Sequence, residues 1–427
     1  MKNFKDSGIE WLGEIPEHWE VVKINKIVTF VNGYAFENFD FNPTFEIPVI
    51  RIGDIQKEKI LYDNCLKTKE KEKLKQFLIS NNDILIALSG ATTGKIAFCD
   101  TDNKAYINQR VAIVRSKLKL VKYYFLTRGF SLLIELACNG SAQPNISTKE
   151  IGEFKIPLPP LKEQEQITNF LDKKCEQIKN FIEKKEKLIS LLKEQKQALI
   201  NETITKGLDK NVNFKDSGIK YLGEIPQHWE IKRLANFGAF LKGNGISRQD
   251  LAEDGESAIL YGDIYTKYQI KTHFLHSKIS KKTSLSATPI YNGDILFSGS
   301  GETKEDIGKS VVYLGDDNAF AGGDVIIFRQ KENNALFLSY VLNTKYANFC
   351  KSIDSKGEII VHIYASNLKD IKIPLPPLKE QEQIANFLDE KCEKIDLLIE
   401  KTEKQIKLIK EYKTTLINQA ICGRIDL

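Results

Sequence analysis

The chain has 427 residues, 42% of them hydrophobic and 28% charged, and a net charge of +5. That length exceeds one ordinary core and suits two or three domains. No stretch approaches the run of about eighteen apolar residues that a membrane span needs, and the opening MKNFKDSGIE lacks an apolar signal core. Seven scattered cysteines without CxxC spacing read as reduced thiols of a cytoplasmic protein, not as a disulfide frame or a metal site.

In chain order, the opening NFKDSGIEWLGEIPEHWE (3–20) returns as NFKDSGIKYLGEIPQHWE (213–230). Between the two copies, residues 21–155 hold short apolar runs that predict strands at Val21–Phe30, Pro48–Ile52, Ile84–Leu88, Ile96–Phe98 and Val111–Val114. Turn-forming Asn and Gly separate these runs, and an apolar helix is expected over Val121–Ala137. Residues 231–372 repeat the plan faintly. GDI at 53–55 recurs at 262–264, DIL at 83–85 at 294–296, GK at 94–95 at 308–309, and VAIVR at 111–115 becomes VIIFR at 325–329.

A long charged segment follows each middle. KIPLPPLKEQEQI (155–167) is repeated letter for letter at 372–384. The double prolines mark helix starts, and beyond them no Gly or Pro occurs until Gly207 and Gly423. Apolar lanes recur every seven residues, Leu171, Ile178, Lys185, Leu192, Leu199 in the first helix and Leu388, Ile395, Thr402, Ile409, Leu416 in the second. A second pair of lanes is Ile167, Lys174, Phe181, Leu188 and Ile384, Lys391, Leu398, Gln405. Such heptads indicate a coiled coil, with each helix supplying the other's partner. Lys185 and Thr402 put polar groups in the seam, where an antiparallel pair would bring them together.

The whole chain is thus a tandem duplication. The expected segments are 1–20 (frame), 21–155 (domain), 156–210 (spacer helix), 211–230 (frame), 231–372 (domain) and 373–427 (spacer helix). The fold class is α+β, two pseudo-symmetric globular domains of mixed strands and helices joined by two long antiparallel helices. Lys and Arg outnumber Asp and Glu by 20 to 14 in 21–155 and by 18 to 16 in 231–372, while the remainder is slightly acidic, 24 to 27. That distribution suits a polyanion touching the globular parts.

Catalytic motifs fail on inspection. SGETKEDIGKS (300–310) has Thr303 where a phosphate loop needs Gly, and SGATTGKI (89–96) has Ser89 in that place. No glycine-rich dinucleotide loop opens a helix, the prolines read Leu-Pro-Pro-Leu and not Asn-Pro-Pro-Tyr, and no nuclease pattern of acids and lysine stands out. His18 and His228 are repeat equivalents beside Trp19 and Trp229, which suits packing of the frame. His273 and His276 lack further metal partners. The chain is expected to perform no covalent chemistry.

With tandem domains, near-identical frames and two PPLKEQ-headed helices, the chain resembles the DNA specificity subunit of type I restriction-modification enzymes. The resemblance covers the whole chain. It implies two target recognition domains, each reading half of an asymmetric bipartite site in double-stranded DNA, with the helices as spacer. It also implies two methyltransferase subunits and two restriction/translocase subunits as partners. S-adenosylmethionine, ATP and Mg are expected only in those partners, and none in this chain. One departure is local, since NGSAQPNI (139–146) has its counterpart in SKGEIIVHI (355–363), where His362-Ile363 replaces Asn145-Ile146.

The loops carry groups suited to DNA independently of that resemblance. In 21–155 the candidates are Asn32 and Tyr34, Gln56, then Thr92, Thr93 and Lys95. Asn108, Gln109 and Arg110 follow, and last Gln143 and Asn145. In 231–372 they are Lys242, Asn244, Ser247 and Arg248, then Ser300, Thr303, Lys309 and His362. Asn and Gln pair with adenine and Arg with guanine, while Lys and hydroxyls usually take phosphates. Any one of them alone is also what a solvated turn holds. Two other readings stay open on these residues, a coiled-coil adaptor that binds only proteins and a nucleotide-dependent enzyme.

Overall fold

A computed structural model describes residues 3–56, 58–99, 103–138, 144–301, 303–304, 307–355 and 361–426. The chain forms two compact units, Met1–Lys185 with Lys404–Leu427, and Glu186–Glu403. Each contains one frame, one domain and a portion of both long helices.

In the first unit a four-stranded antiparallel sheet runs in the order Ile96–Phe98, Ile84–Ala87, Val111–Arg115, Thr29–Asn32. A smaller sheet joins Tyr106–Ile107, Ile47–Ile50 and Leu66–Thr68. The strand Val111–Arg115 is buried along Val111–Val114 and so reads as continuous apolar sequence instead of alternating. In the second unit the equivalent sheet has five strands, Ala239–Lys242, Val325–Arg329, Ile295–Ser298, Ser310–Tyr313 and Lys271–Thr272.

The landmarks shared by the two domains are structural. Arg115 grips Asp83 through Nε and Nη2 and also donates to Leu78 O at 2.7 Å. Arg329 grips Asp294 in the same way and donates to Pro289 O at 3.0 Å. Asp54 and Asp263 of the GDI triplets each accept a main-chain N–H three residues back, from Arg51 and Leu260, and so close one turn. Gly94 and Gly308 of the GK pairs have φ of +80° and +70°, which only glycine adopts at low cost.

The frames dock on the helix starts. Hairpins Phe4–Asp6/Glu14–Pro16 and Phe214–Asp216/Glu224–Pro226 share one register. His18 Nε2 lies 2.6 Å from Glu163 Oε1 and His228 Nε2 lies 2.8 Å from Glu380 Oε2. Trp19 Nε1 donates to Glu163 Oε2, whereas the buried Trp229 Nε1 makes no hydrogen bond. Next along each helix, the Gln164 and Gln381 amides donate to Pro159 O and Pro376 O, so the repeated PPLKEQ stretch binds both its frame and its own entry turn.

The central helix covers Leu161–Lys206 and the C-terminal helix Leu378–Ile421. In the first unit Ile167, Leu171 and Ile178 share a core with Leu416, Ile417, Ala420 and Ile421. In the second, Ile200 and Ile204 share one with Ile384, Ala385 and Leu388. The start of each helix therefore packs beside the end of the other, and they run antiparallel. Tyr123 OH donates to Asp172 and Tyr340 OH to Asp389, docking each domain on its helix at equivalent positions.

Four expectations need correction. Val21–Phe30 is two strands in different sheets. Glu20–Lys23 pairs with Lys155–Leu158, and Thr29–Asn32 enters the main sheet. Residues 155–158 are therefore strand before the helix begins, with Pro157 tolerated because the sheet has only two strands. The helix over Val121–Ala137 breaks into Val121–Phe125 and Arg128–Ala137, since the Thr127 hydroxyl accepts from Phe130 N and starts a new helix. The second heptad lane is not a buried seam throughout, because Phe181, Leu188 and Leu398 are exposed. Two packed helices alone cover less surface there than helix plus domain does at the ends. Thr402 is buried, and its hydroxyl donates to Leu398 O at 2.7 Å.

One buried group has no counterpart. Lys351 on the helix Lys345–Ile353 is fully buried, donating to Gly308 O and Leu342 O, both at 2.8 Å. The first domain has Ile134 against Gly94 at the equivalent place. Burial pushes the Lys351 amine down to about 7. An unfolded lysine titrates near 10.4, so between those values the unfolded chain binds the extra proton and stability rises with pH. Below about 7 both states are protonated, and that contribution is gone. Lys351→Met is therefore expected to flatten the profile. Its thermal midpoint relative to the parent should be highest near pH 7 and fall steadily toward pH 10, as measured by calorimetry.

Candidate nucleic-acid interface

Two loops of the first domain are held backbone to backbone. Gly33 N donates to Val111 O at 3.0 Å, Tyr34 N to Ile107 O at 3.0 Å, and Val111 N to Asn108 O at 2.8 Å. A Cβ on Gly33 would stand 2.1 Å from Asn108 O, so no other residue fits without moving a loop. Leu88 N donates to Arg110 O, and residues 144–146 close on that segment, with Ile146 N donating to Leu88 O and Gly90 N to Pro144 O. Side chains 32, 109, 110 and 145, far apart in sequence, thereby meet.

They line an open cleft of about 660 Å³ with Leu88, Ser89, Ile146, Ser147 and Thr148. Arg110 is the only charged residue of that lining. Arg110, Gln109 and Asn145 are exposed, and their side chains make no hydrogen bond among the described residues. Asn32 Oδ1 accepts from Thr148 Oγ1 at 3.1 Å. Ser89 Oγ is buried without a partner. The cleft offers acceptors, amides and one guanidinium on a hydrogen-bonded backbone, a set suited to base edges.

The other candidates of this domain lie apart from it. Tyr34 packs its ring on Phe36 and Phe77 at 5.0 and 5.5 Å, a small core of its own. Gln56 bonds back to Gly53 O. Thr92 and Thr93 return their hydroxyls to main-chain carbonyls at Ser89, Gly90 and Pro144. Lys95 is exposed, and Asn108 is half-buried with its main chain in the loop contact. Gln143 lies outside the described residues.

In the second domain Gly243 N donates to Val325 O and Asn244 N to Ala321 O, the same loop contact. Lys242 and Asn244 are exposed. Ser300 is buried, and its hydroxyl lies 2.9 Å from His362 Nδ1. Ser300 and His362 face each other across a short antiparallel pair, as Ser89 and Asn145 do in the first domain. Lys309 donates to Tyr265 O at 3.0 Å. Ser247 caps a short turn through Asp250. Arg248 and Thr303 line a separate cleft of about 690 Å³ with Tyr261, Asp263 and Tyr265.

The family described as type I restriction modification DNA specificity domain matches residues 16–193 and again 226–408. The chain belongs to that family. It is a specificity subunit, the recognition part of such a system and not its enzyme. The MjaVIII specificity subunit of Methanocaldococcus jannaschii is 26% identical, over 96% of this chain and 94% of that protein. The EcoBI specificity subunit of Escherichia coli is 23% identical, over 99% and 90%. A chain from a solved structure on complex assembly and conformational transition of the type I R-M system has the same fold, with a TM-score of 0.68 at 18% identity, over 96% and 99%. Among the described residues no helix is long and apolar enough to cross a membrane.

Ser147 and Thr148 were missed as cleft residues. Their signal was the capping box Ser147-x-x-Glu150, which starts the helix Thr148–Glu153 and sets both side chains at the cleft edge. Hydrogen bonds from Ser147 hold the Glu150 carboxylate below its usual range. The loop contact makes a direct expectation. Gly33→Ala should cost about 1–3 kcal/mol through overpacking, while Gly53→Ala, whose Cβ meets nothing within 4 Å, should be near neutral. Chemical denaturation of the two variants checks this.

Proposed function

We propose that the two domains read different half-sites of one asymmetric, bipartite sequence in double-stranded DNA, the first through the cleft at Asn32, Gln109, Arg110 and Asn145. The carrying observation is that one backbone arrangement occurs twice with unlike side chains. Main-chain contacts fix where the loops stand, and the exposed side chains they display differ. A binding surface for one repeated protein partner needs the opposite, like side chains on like loops. The near-identical frames, which seat on Glu163 and Glu380, suit that second role. Two methyltransferase subunits, one per frame, and two restriction subunits are the partners this arrangement suits. S-adenosylmethionine, ATP and Mg belong with those partners.

Base readers and phosphate binders differ in phenotype. Arg110→Ala should relax one base pair of one half-site, by about 1–3 kcal/mol for a bidentate guanine contact. Lys95→Ala should weaken binding to all sequences alike and flatten the salt dependence. Competition binding of the assembled methyltransferase complex at several salt concentrations separates the two. Equal loss on specific and random DNA from Arg110→Ala would count against the cleft.

The domains should also be modular. Replacing 231–372 with a copy of 21–155 should give a complex whose two half-sites are the same sequence. Sequencing of methylated sites after co-expression with a methyltransferase subunit reads this out. Retention of the original asymmetric site by a folded hybrid would refute the division of labour.

A further inference from the structure

Hydrogen-bond registers match residues of the two domains where the letters differ. Leu88 N donates to Arg110 O at 2.9 Å, and Gly299 N donates to Asp324 O at 2.8 Å. Ile146 N donates to Leu88 O, and Ile363 N to Gly299 O. Val111 N donates to Asn108 O, and Val325 N to Gly322 O. The loop Asn108-Gln109-Arg110 of the first domain thus stands where the second has Gly322-Gly323-Asp324. By the same bonds Lys242 takes the place of Asn32 and His362 that of Asn145.

At the position of the one cation of the first cleft, then, the second domain carries an acid. Asp324 is exposed, and its carboxylate makes no hydrogen bond or ion pair among the described residues. His362 is tied to Ser300, so its ring is already engaged. Gly322 and Gly323 carry no side chains, which lets the loop backbone come close to a ligand and brings a short side chain within reach.

We propose that Asp324 is a specificity-determining residue of the second domain. It accepts a hydrogen bond from the exocyclic amino group of a base in the major groove, cytosine N4 or adenine N6, at the step that Arg110 reads in the first domain. An ionised carboxylate is only an acceptor. Guanine O6 and N7 and thymine O4 are also acceptors, so a carboxylate rejects both bases. On a surface that meets phosphates an acid weakens binding to every sequence, which leaves selectivity as its function here. This inference rests on the DNA reading proposed above.

The test co-expresses the full chain with a type I methyltransferase subunit that assembles with it and maps the methylated sites by sequencing. Asp324→Asn and Asp324→Arg are compared with the parent. The Asn variant, which both donates and accepts, should lose discrimination at one base pair of the second half-site by roughly 5- to 150-fold, the worth of one base-edge contact. The Arg variant should move the preference at that base pair to guanine. The first half-site and the other positions of the second should not change. Whether the parent requires cytosine or adenine there identifies the amino group. An unchanged site in both variants, or a change in methylation that is uniform over all sequences, including its complete loss, overturns the proposal. A parent complex with no fixed second half-site would instead overturn the reading on which it rests.

Discussion

The candidate cleft depends on a main-chain contact between two loops. The Gly33 amide reaches the Val111 carbonyl, and the Gly243 amide the Val325 carbonyl. In each domain a Cβ on that glycine would stand about 2 Å from the facing carbonyl, that of Asn108 or Gly322. Bonds of this kind carry no information about side chains. Loop position is therefore independent of what the loop displays, and one scaffold can hold Asn-Gln-Arg in one domain and Gly-Gly-Asp in the other. Had side chains set the loop geometry, each change of specificity would also have changed the fold.

Much of this was legible in the sequence, and the physical reasons are now clear. GDI, DIL, GK and the terminal Arg of VAIVR and VIIFR recur because each closes a turn or a buried pair. Asp83 with Arg115 and Asp294 with Arg329 are such pairs, each a buried carboxylate held by a partly exposed guanidinium, and loss of the arginine leaves the carboxylate buried without its charge partner. Residues under that constraint repeat, and residues in open loops drift. The frames and PPLKEQ stretches repeat together because His18 meets Glu163 and His228 meets Glu380.

Other features were hidden for equally specific reasons. The strand pairs Glu20–Lys23 with Lys155–Leu158 and Glu230–Arg233 with Lys372–Leu375 join segments more than 130 residues apart. The later strand of each pair runs straight into the double prolines, which mark only a helix start when local sequence is read. The break at Thr127 lies inside an apolar run whose periodicity favours one helix, and a single hydroxyl decides otherwise. Nothing in the sequence singles out Lys351, because lysine rarely enters a core unpaired. It is held there by two carbonyls. Of the cleft, Asn32, Gln109, Arg110 and Asn145 were chosen from the sequence as separate loop residues. Their convergence was not visible, because long-range main-chain bonds bring it about. The match of Asp324 to Arg110 lay one residue before the VAIVR and VIIFR strands, but the two loops share no letters and nothing local marked it.

The sign of charge on the two loops bears on how such a protein divides affinity from selectivity. Attraction to phosphates is spread over many cations and depends on salt, not on sequence. The small excess of Lys and Arg in 21–155 and in 231–372 suffices for that part. An arginine at the reading position adds to both terms, because it attracts the backbone and pairs with guanine. A carboxylate there opposes the first and sharpens the second. On the proposed reading, the second domain, with Asp324 exposed on a glycine loop, has to gain its hold on DNA elsewhere. Lys242, at the position of Asn32 and exposed, adds a cation that the first domain lacks at that point. Exchange of Asn32 for Lys242 and of Arg110 for Asp324 leaves one cation in each domain while moving where it sits, and adds one anion to the second. A protein built this way can therefore change the base it selects at one loop and restore general affinity for DNA at another.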